Sequence, residues 1–227
     1  MAFPGQRQMD RANWLAERRL GIGGSDIAIL LGLNPWKSEQ DLIMDKLDLI
    51  PPKDQFQGNE ATRAGNRLEP FVADWYAERH HQILINGERV VSTTNPRFIG
   101  NTDFLYPEGI LEIKTGAEKS FNAGCPEQYQ VQVLWYMMIT ERPEGTLCAC
   151  IVPKDRKEIP EDQETLKGWI RLRPLREYQF RREPMLEEKM TLAGERFLKK
   201  LDALREPRAG GLQQVKDFQQ SCGEPSL

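Results

Sequence analysis

The chain is poor in the side chains that build metal cages and covalent cross-links. Its four cysteines, Cys125, Cys148, Cys150 and Cys222, form no C-x-x-C pair, and His80 and His81 are its two histidines. A zinc site therefore lacks ligands. A disulfide scaffold is not needed at 227 residues, so reduced thiols in a cytoplasm are the expectation. No apolar run approaches the roughly 20 residues that span a bilayer. The first ten residues lack the apolar segment of a secretory signal, so a location away from membranes is expected. There is no internal repeat and no low-complexity tract. Fifteen prolines and eighteen glycines indicate neither a collagenous nor a largely disordered chain. Nor is there an excess of positive charge: 31 basic against 34 acidic residues give −3. That excludes a uniformly basic surface but not a nucleic-acid partner, because binding depends on where the positive charge sits.

What is present suffices for one buried core, with 39% hydrophobic side chains and little room for a second full domain. The patterning predicts a short helix over 10–19, then a Gly-Gly break and a helix beginning at Asp26 with Ser25 as its cap. A helix capped by Ser38 runs to about Leu47. Another over 60–81 must kink or restart at Pro70. Two short strands, Thr102 to Tyr106 and Ile110 to Thr115, form a hairpin across Pro107-Glu108-Gly109. An apolar helix over 126–140, a buried strand over 147–152, a strand over 169–173 and a closing helix over 184–205 follow. The fold class is α/β, a small mixed sheet flanked by helices. One domain over 1–206 and a loosely ordered tail over 207–227 are expected.

The chemistry concentrates at Asp103 and, nine residues on, Glu112-Ile113-Lys114. Side chains alternate along a strand, so Glu112 and Lys114 share a face while Ile113 points away. The hairpin returns that face beside Asp103. Two carboxylates and an ammonium in one small volume suit Mg²⁺ and a phosphate that completes its octahedron. The lysine can hold an attacking water and offset charge on the phosphate. This is a site for metal-assisted phosphodiester hydrolysis; a solvated surface hairpin would carry the same residues.

Other motifs each carry two readings. Gly65 to Glu69 lies one turn apart on a helix, and Glu69 reads as a site acid or as an ordinary exposed glutamate. Gln132 and Tyr136, four apart on one helical face, read as site residues or as core groups. Arg18-Arg19-Leu20-Gly21-Ile22-Gly23-Gly24-Ser25 combines arginine with exposed backbone amides and reads as a phosphate clamp or as a well-capped turn. It is no nucleotide-binding P-loop, because no Gly-Lys-Ser/Thr follows. Lys167, Arg171, Arg173, Arg176, Arg181 and Arg182 against Glu177 leave 165–182 at +5. They read as a surface facing DNA or as a solvated edge strand.

In this order the motifs resemble the lambda-type phage exonucleases, specifically the YqaJ-like viral recombinase family. The stretch from Arg19 through Gly-Ile-Gly-Gly-Ser-Asp to Leu33-Asn34-Pro35-Trp36-Lys37 is the most distinctive part, and the likeness covers about residues 13 to 140. It implies a restriction-endonuclease-like core of the PD-(D/E)XK type. Asp103, Glu112 and the backbone carbonyl of Ile113 would hold Mg²⁺, with Glu69 near a second ion and Mn²⁺ a possible substitute. Lys114 would serve the water, and Gln132 would hold the site in position. Arg19, Ser25 and Gly24 would bind the 5′-phosphate, and Lys167, Arg171, Arg173 and Arg176 would line a DNA channel. The implied enzyme is a homotrimeric ring that digests double-stranded DNA processively from 5′-phosphorylated ends. It releases 5′-mononucleotides and leaves a 3′ tail for a single-strand-annealing recombinase. Asn101-Thr102 stands where the motif name has proline before aspartate. A restriction-like endonuclease and a non-catalytic DNA-end-binding module are the alternatives. An iron–sulfur nuclease is disfavoured, because its cysteine set is missing.

Overall fold

The computed structural model describes residues 16, 18–50 and 59–206. The helix expected from Asp10 lies largely outside them, as does the tail over 207–227. The elements are α1 (Gly24–Leu30), α2 (Glu39–Lys46), α3 (Glu60–His80), β1 (Ile85–Asn86), β2 (Arg89–Val91), β3 (Ile99–Asn101), β4 (Phe104–Tyr106) and β5 (Gly109–Gly116). They continue with α4 (Glu127–Thr140), β6 (Glu144–Ile151), α5 (Gln163–Arg171), β7 (Leu175–Arg181) and α6 (Pro184–Arg205). Among the described residues no helix is long and apolar enough to cross a membrane.

Five strands form one mixed sheet in the order β1-β4-β5-β6-β7, and β2 and β3 form a separate antiparallel pair. β5 and β6 are parallel, from Gly109 opposite Glu144 to Gly116 opposite Ile151. Parallel neighbours need a crossover, and α4 supplies it. Alternation along the strands divides the core in two. Ile110, Leu147, Ala149 and Ile151 face α1, α2, α4 and α6. Leu111, Ile113, Cys148 and Cys150 face α3 and α5. The central strands are buried on both faces, which accounts for the near-continuous apolar run of β6.

Four local expectations need correction. The residues 169–173 are not a strand. Asp162 accepts from the Thr165 amide at 2.8 Å and starts α5, and Leu166 and Ile170, four apart, bury one side of that helix. Ser25 is not a cap: α1 begins two residues earlier than expected with Gly23 as N-cap, whose amide donates to Asp26 Oδ2 at 2.9 Å. α3 runs unbroken through Pro70. Pro70 and Asn66 are both exposed, so the carbonyl that proline leaves without an amide partner lies towards solvent. Finally, the hairpin strand begins at Phe104 rather than Thr102, because residues 99–101 pair with β2 instead.

One contact sets the position of that small sheet against the main one. Trp135 of α4 is fully buried, its Nε1 donating to the Ile99 carbonyl at 2.9 Å. Its ring packs on Phe98 with centroids 4.9 Å apart. Trp135→Phe should leave that carbonyl unsatisfied and cost about 1–3 kcal/mol, read as a lower midpoint in urea. An unchanged midpoint would contradict this anchoring.

Candidate active site

β5 carries Glu112 and Lys114 on the face that looks at α4. Glu112 is buried, 1% exposed, and its Oε1 contacts the Lys114 ammonium and accepts from Gln132 Nε2 at 2.7 Å. Its Oε2 is buried without a hydrogen-bond partner. Asp103 leads into β4, and its Oδ2 accepts from the Ile113 amide at 2.7 Å. Alternation thus turns Ile113's side chain into the α3 core while its amide fixes Asp103 beside Glu112 and Lys114. Glu69, half-buried on α3, adds a third carboxylate near enough to feel Asp103 and Lys114.

The electrostatics follow from burying like charges together. Burial, reinforced by Asp103 and Glu69, pushes the Glu112 carboxyl up to about 8 although Lys114 pulls it down. Burial and Asp103 push Glu69 up to about 7. Burial also raises Asp103. Burial works to lower Lys114, yet Glu112 and Asp103 outweigh it and hold the ammonium above the ordinary lysine range. Among the described residues, no three His, Cys, Asp or Glu side chains converge as a complete cage. The donor set is instead two carboxylates with a third nearby, all hard oxygens, one of them an orphaned buried atom. That suits an ion such as Mg²⁺, which takes one or two carboxylates and keeps the rest of its sphere for water and phosphate.

Beside the acids lies a second concavity, lined among others by Arg18, Gly24, Ser25, Arg89, Asn101 and Tyr136. The Ile22 amide donates to the Arg97 carbonyl at 2.7 Å and the Ile99 amide to the Ile22 carbonyl at 2.9 Å, so the Gly-Gly segment runs alongside β3. The Tyr136 ring forms the wall shared with the carboxylates. A Cβ on Gly24 would stand 2.9 Å from Tyr136 Cε1 and from Gln132 Cγ, and one on Gly100 2.8 Å from the same ring. Only glycine allows this approach. The tyrosine hydroxyl accepts from Gln132 Nε2 at 3.1 Å, so Gln132 touches both Glu112 and the wall of the concavity.

Of the two adjacent arginines, Arg18 and not Arg19 lines this concavity. Arg18 Nη2 donates to Ser25 Oγ at 3.0 Å. Arg19 turns to Asp48 at 2.6 Å, and its carbonyl accepts from Arg205. Tyr136 was signalled by its place four residues after Gln132, whereas nothing local marks Arg89. The later basic residues do not form one patch. Arg171, on the α3 side, binds Glu78 and Arg173 lies over the Trp169 ring at 4.5 Å. Arg176 reaches the Phe121 carbonyl and Glu118; Lys167 is exposed on α5.

Comparison with known proteins identifies relatives of both the sequence and the fold. Residues 13–143 match the YqaJ-like viral recombinase domain. A Bacillus subtilis (strain 168) protein described as uncharacterized protein YqaJ is 35% identical over 137 residues, 57% of this chain and 42% of that one. The match thus spans about two fifths of that relative's length. An alkaline exonuclease from Laribacter hongkongensis superposes with a TM-score of 0.63 at 18% identity, over 93% of this chain and all of that one. Its complex with dAMP gives 0.64 with the same identity and coverage. A phage-related exonuclease from Haemophilus somnus 129PT gives 0.61 at 17%, over 87% of this chain and 96% of that one. The fold is that of these exonucleases, the PD-(D/E)XK type, and with its family motifs spanning more than half of its length the chain belongs to the YqaJ-like viral recombinase domain family.

Proposed function

We propose that the chain is a divalent-metal-dependent deoxyribonuclease, one catalytic unit over 1–206, that digests linear double-stranded DNA from 5′-phosphorylated ends. The observation that carries this reading is the convergence of Asp103, Glu112, Lys114 and Gln132 at a wall shared with the Arg18–Ser25 concavity. The names of the structural relatives, exonucleases and one complex with a mononucleotide, support it.

Asp103, Glu112 and the Ile113 carbonyl would hold Mg²⁺, or Mn²⁺ in its place, with Glu69 at the mouth for a second ion. Bound there, the cation supplies charge for the phosphate oxygens and lowers the pKa of water. Lys114 stands against Glu112, where its ammonium orients the attacking water and offsets charge that develops on the phosphate. Gln132 fixes the Glu112 carboxylate through Oε1. Arg18 and Ser25, with Gly24 giving room, take the terminal 5′-phosphate, one nucleotide away from the bond that breaks. A 5′-mononucleotide leaves and a 3′ tail remains, the substrate of a single-strand-annealing recombinase. A homotrimeric ring around the duplex would make digestion processive, with Lys167, exposed on α5, towards the strand.

The reading is tested with linear and closed circular duplex, each with Mg²⁺ and with EDTA. Linear 5′-phosphorylated duplex should be consumed from its 5′ ends with Mg²⁺ alone. Glu112→Gln and Lys114→Ala should each slow this on the order of 10³-fold while DNA binding persists. Rapid cutting of circles would make the chain an endonuclease, and absence of hydrolysis with tight end binding would make it a binding module.

The raised carboxyls also set a stability profile. Glu112 and Glu69 titrate near 4.5 when unfolded and at about 8 and about 7 when folded. The folded chain therefore binds more protons across this window, and stability falls as pH rises through it. In EDTA the melting temperature should drop by roughly 3 °C or more between about pH 5 and pH 8. Glu112→Gln should flatten the drop. A profile equally steep in that variant would contradict the burial argument.

A further inference from the structure

Beneath the Arg18–Ser25 concavity lies an ion pair that the hydrolytic chemistry does not use. Lys46 of α2 is 2% exposed and Asp26 of α1 is 2% exposed, with Nζ 2.7 Å from Oδ2. A buried pair of this kind is poor evidence of stabilisation, because desolvating both charges consumes most of the attraction. Its other contacts indicate what it is for. Lys46 Nζ donates to the Arg18 carbonyl at 2.6 Å. Asp26 Oδ2 accepts from the Gly23 amide at 2.9 Å, and Asp26 Oδ1 stands 3.6 Å from Arg18 Nη2. That same nitrogen donates to Ser25 Oγ. The pair thus grips Arg18 at both ends, its main chain by the ammonium and its guanidinium by the carboxylate. It also fixes the Gly-Gly turn between. Burial alone would raise Asp26, yet the Lys46 and Arg18 cations hold it below the ordinary carboxylate range, while burial draws the Lys46 ammonium below the ordinary lysine range against the pull of Asp26. Arg205 closes the frame from α6, donating to the Arg19 and Lys46 carbonyls at 2.7 and 3.0 Å.

We propose that Asp26 and Lys46 are positioning residues that hold the Arg18 guanidinium towards the concavity and thereby set the preference for DNA ends bearing a 5′-phosphate. The proposal rests on the reading of that concavity as the 5′-phosphate site. A long arginine side chain loses much rotamer freedom on binding a phosphate, and a preset carboxylate removes that cost before the ligand arrives. The arrangement also explains why apolar residues would not serve equally well at 26 and 46: they would fill the volume without aiming Arg18.

The test measures affinity in EDTA, where no strand is cut, by fluorescence anisotropy of short duplexes with 5′-phosphoryl or 5′-hydroxyl ends. The wild-type protein should bind phosphoryl ends at least about tenfold more tightly, the worth of one charge-assisted hydrogen bond. The double variant Asp26→Asn/Lys46→Met leaves neither charge buried alone. Its ratio of the two affinities should fall to near one, as in Arg18→Ala, and adding Arg18→Ala to it should cause no further fall. A folded double variant that keeps the ratio, or an equal loss on both ends, overturns the proposal. If the double variant does not fold, Asp26→Glu keeps both charges and shifts the carboxylate by one methylene. It should lower the ratio, and an undiminished ratio there overturns the proposal too. A wild-type ratio near one also overturns it, whereas hydrolysis assayed separately with Mg²⁺ decides the nuclease reading on its own.

Discussion

Everything at the candidate site depends on one carboxylate held where water cannot reach it. Glu112 lies in the middle of the sheet's central strand, covered by α4, with Lys114 and Gln132 on one oxygen and nothing on the other. A charge in such a place is costly unless it is paired. One ammonium and one amide only partly meet that cost, which is why the carboxyl titrates at about 8. The unmet part is a standing affinity for positive charge, and Asp103 and Glu69 add to it. Under the proposed reading, a divalent cation would supply the positive charge that is missing at this point.

The surroundings can be understood as what keeps that carboxylate in place. The parallel pairing of β5 with β6 requires a crossover, and the crossover helix α4 brings Gln132 and Tyr136 over the strand. Trp135 ties the same helix to β3 through the Ile99 carbonyl, so Asn101 and Asp103, next along the chain, arrive at the correct edge. The Tyr136 ring, closed in by Gly24 and Gly100, then gives the acids and the arginine concavity a common wall. The proposed cutting and end-binding sites are thus fixed relative to each other by one helix, and Asp26 and Lys46 would aim the arginine from behind.

Much of this was legible in the sequence, for a physical reason. Alternation along a strand and the return of a hairpin are local rules, so Asp103, Glu112 and Lys114 could be brought together from spacing alone. Spacing of four likewise placed Gln132 beside Tyr136, and the two-sided burial of β6 could be read from its apolar run. What was not legible depends on distant partners. Arg18 and Arg19 are adjacent and chemically alike, and only Asp26, Asp48 and Arg205, remote in sequence or brought near by folding, decide which one faces Ser25. The strand expected over 169–173 gave way to a helix because Asp162 caps it. The strands β1 and β2 went unseen because each is two or three residues long and mostly exposed. The run of cations after residue 165 suggested one basic surface, but helix and strand geometry send its members to both sides of the sheet, where acids and carbonyls take several of them.

The most direct test of the account is calorimetric titration of Mn²⁺ into the protein without DNA at about pH 8, in the wild type and in Glu112→Gln. If the buried carboxylate is the source of the site's affinity for positive charge, the wild type binds the ion and the variant binds it at least about tenfold more weakly while remaining folded. Equal binding by the two proteins, or none by the wild type, would contradict the account.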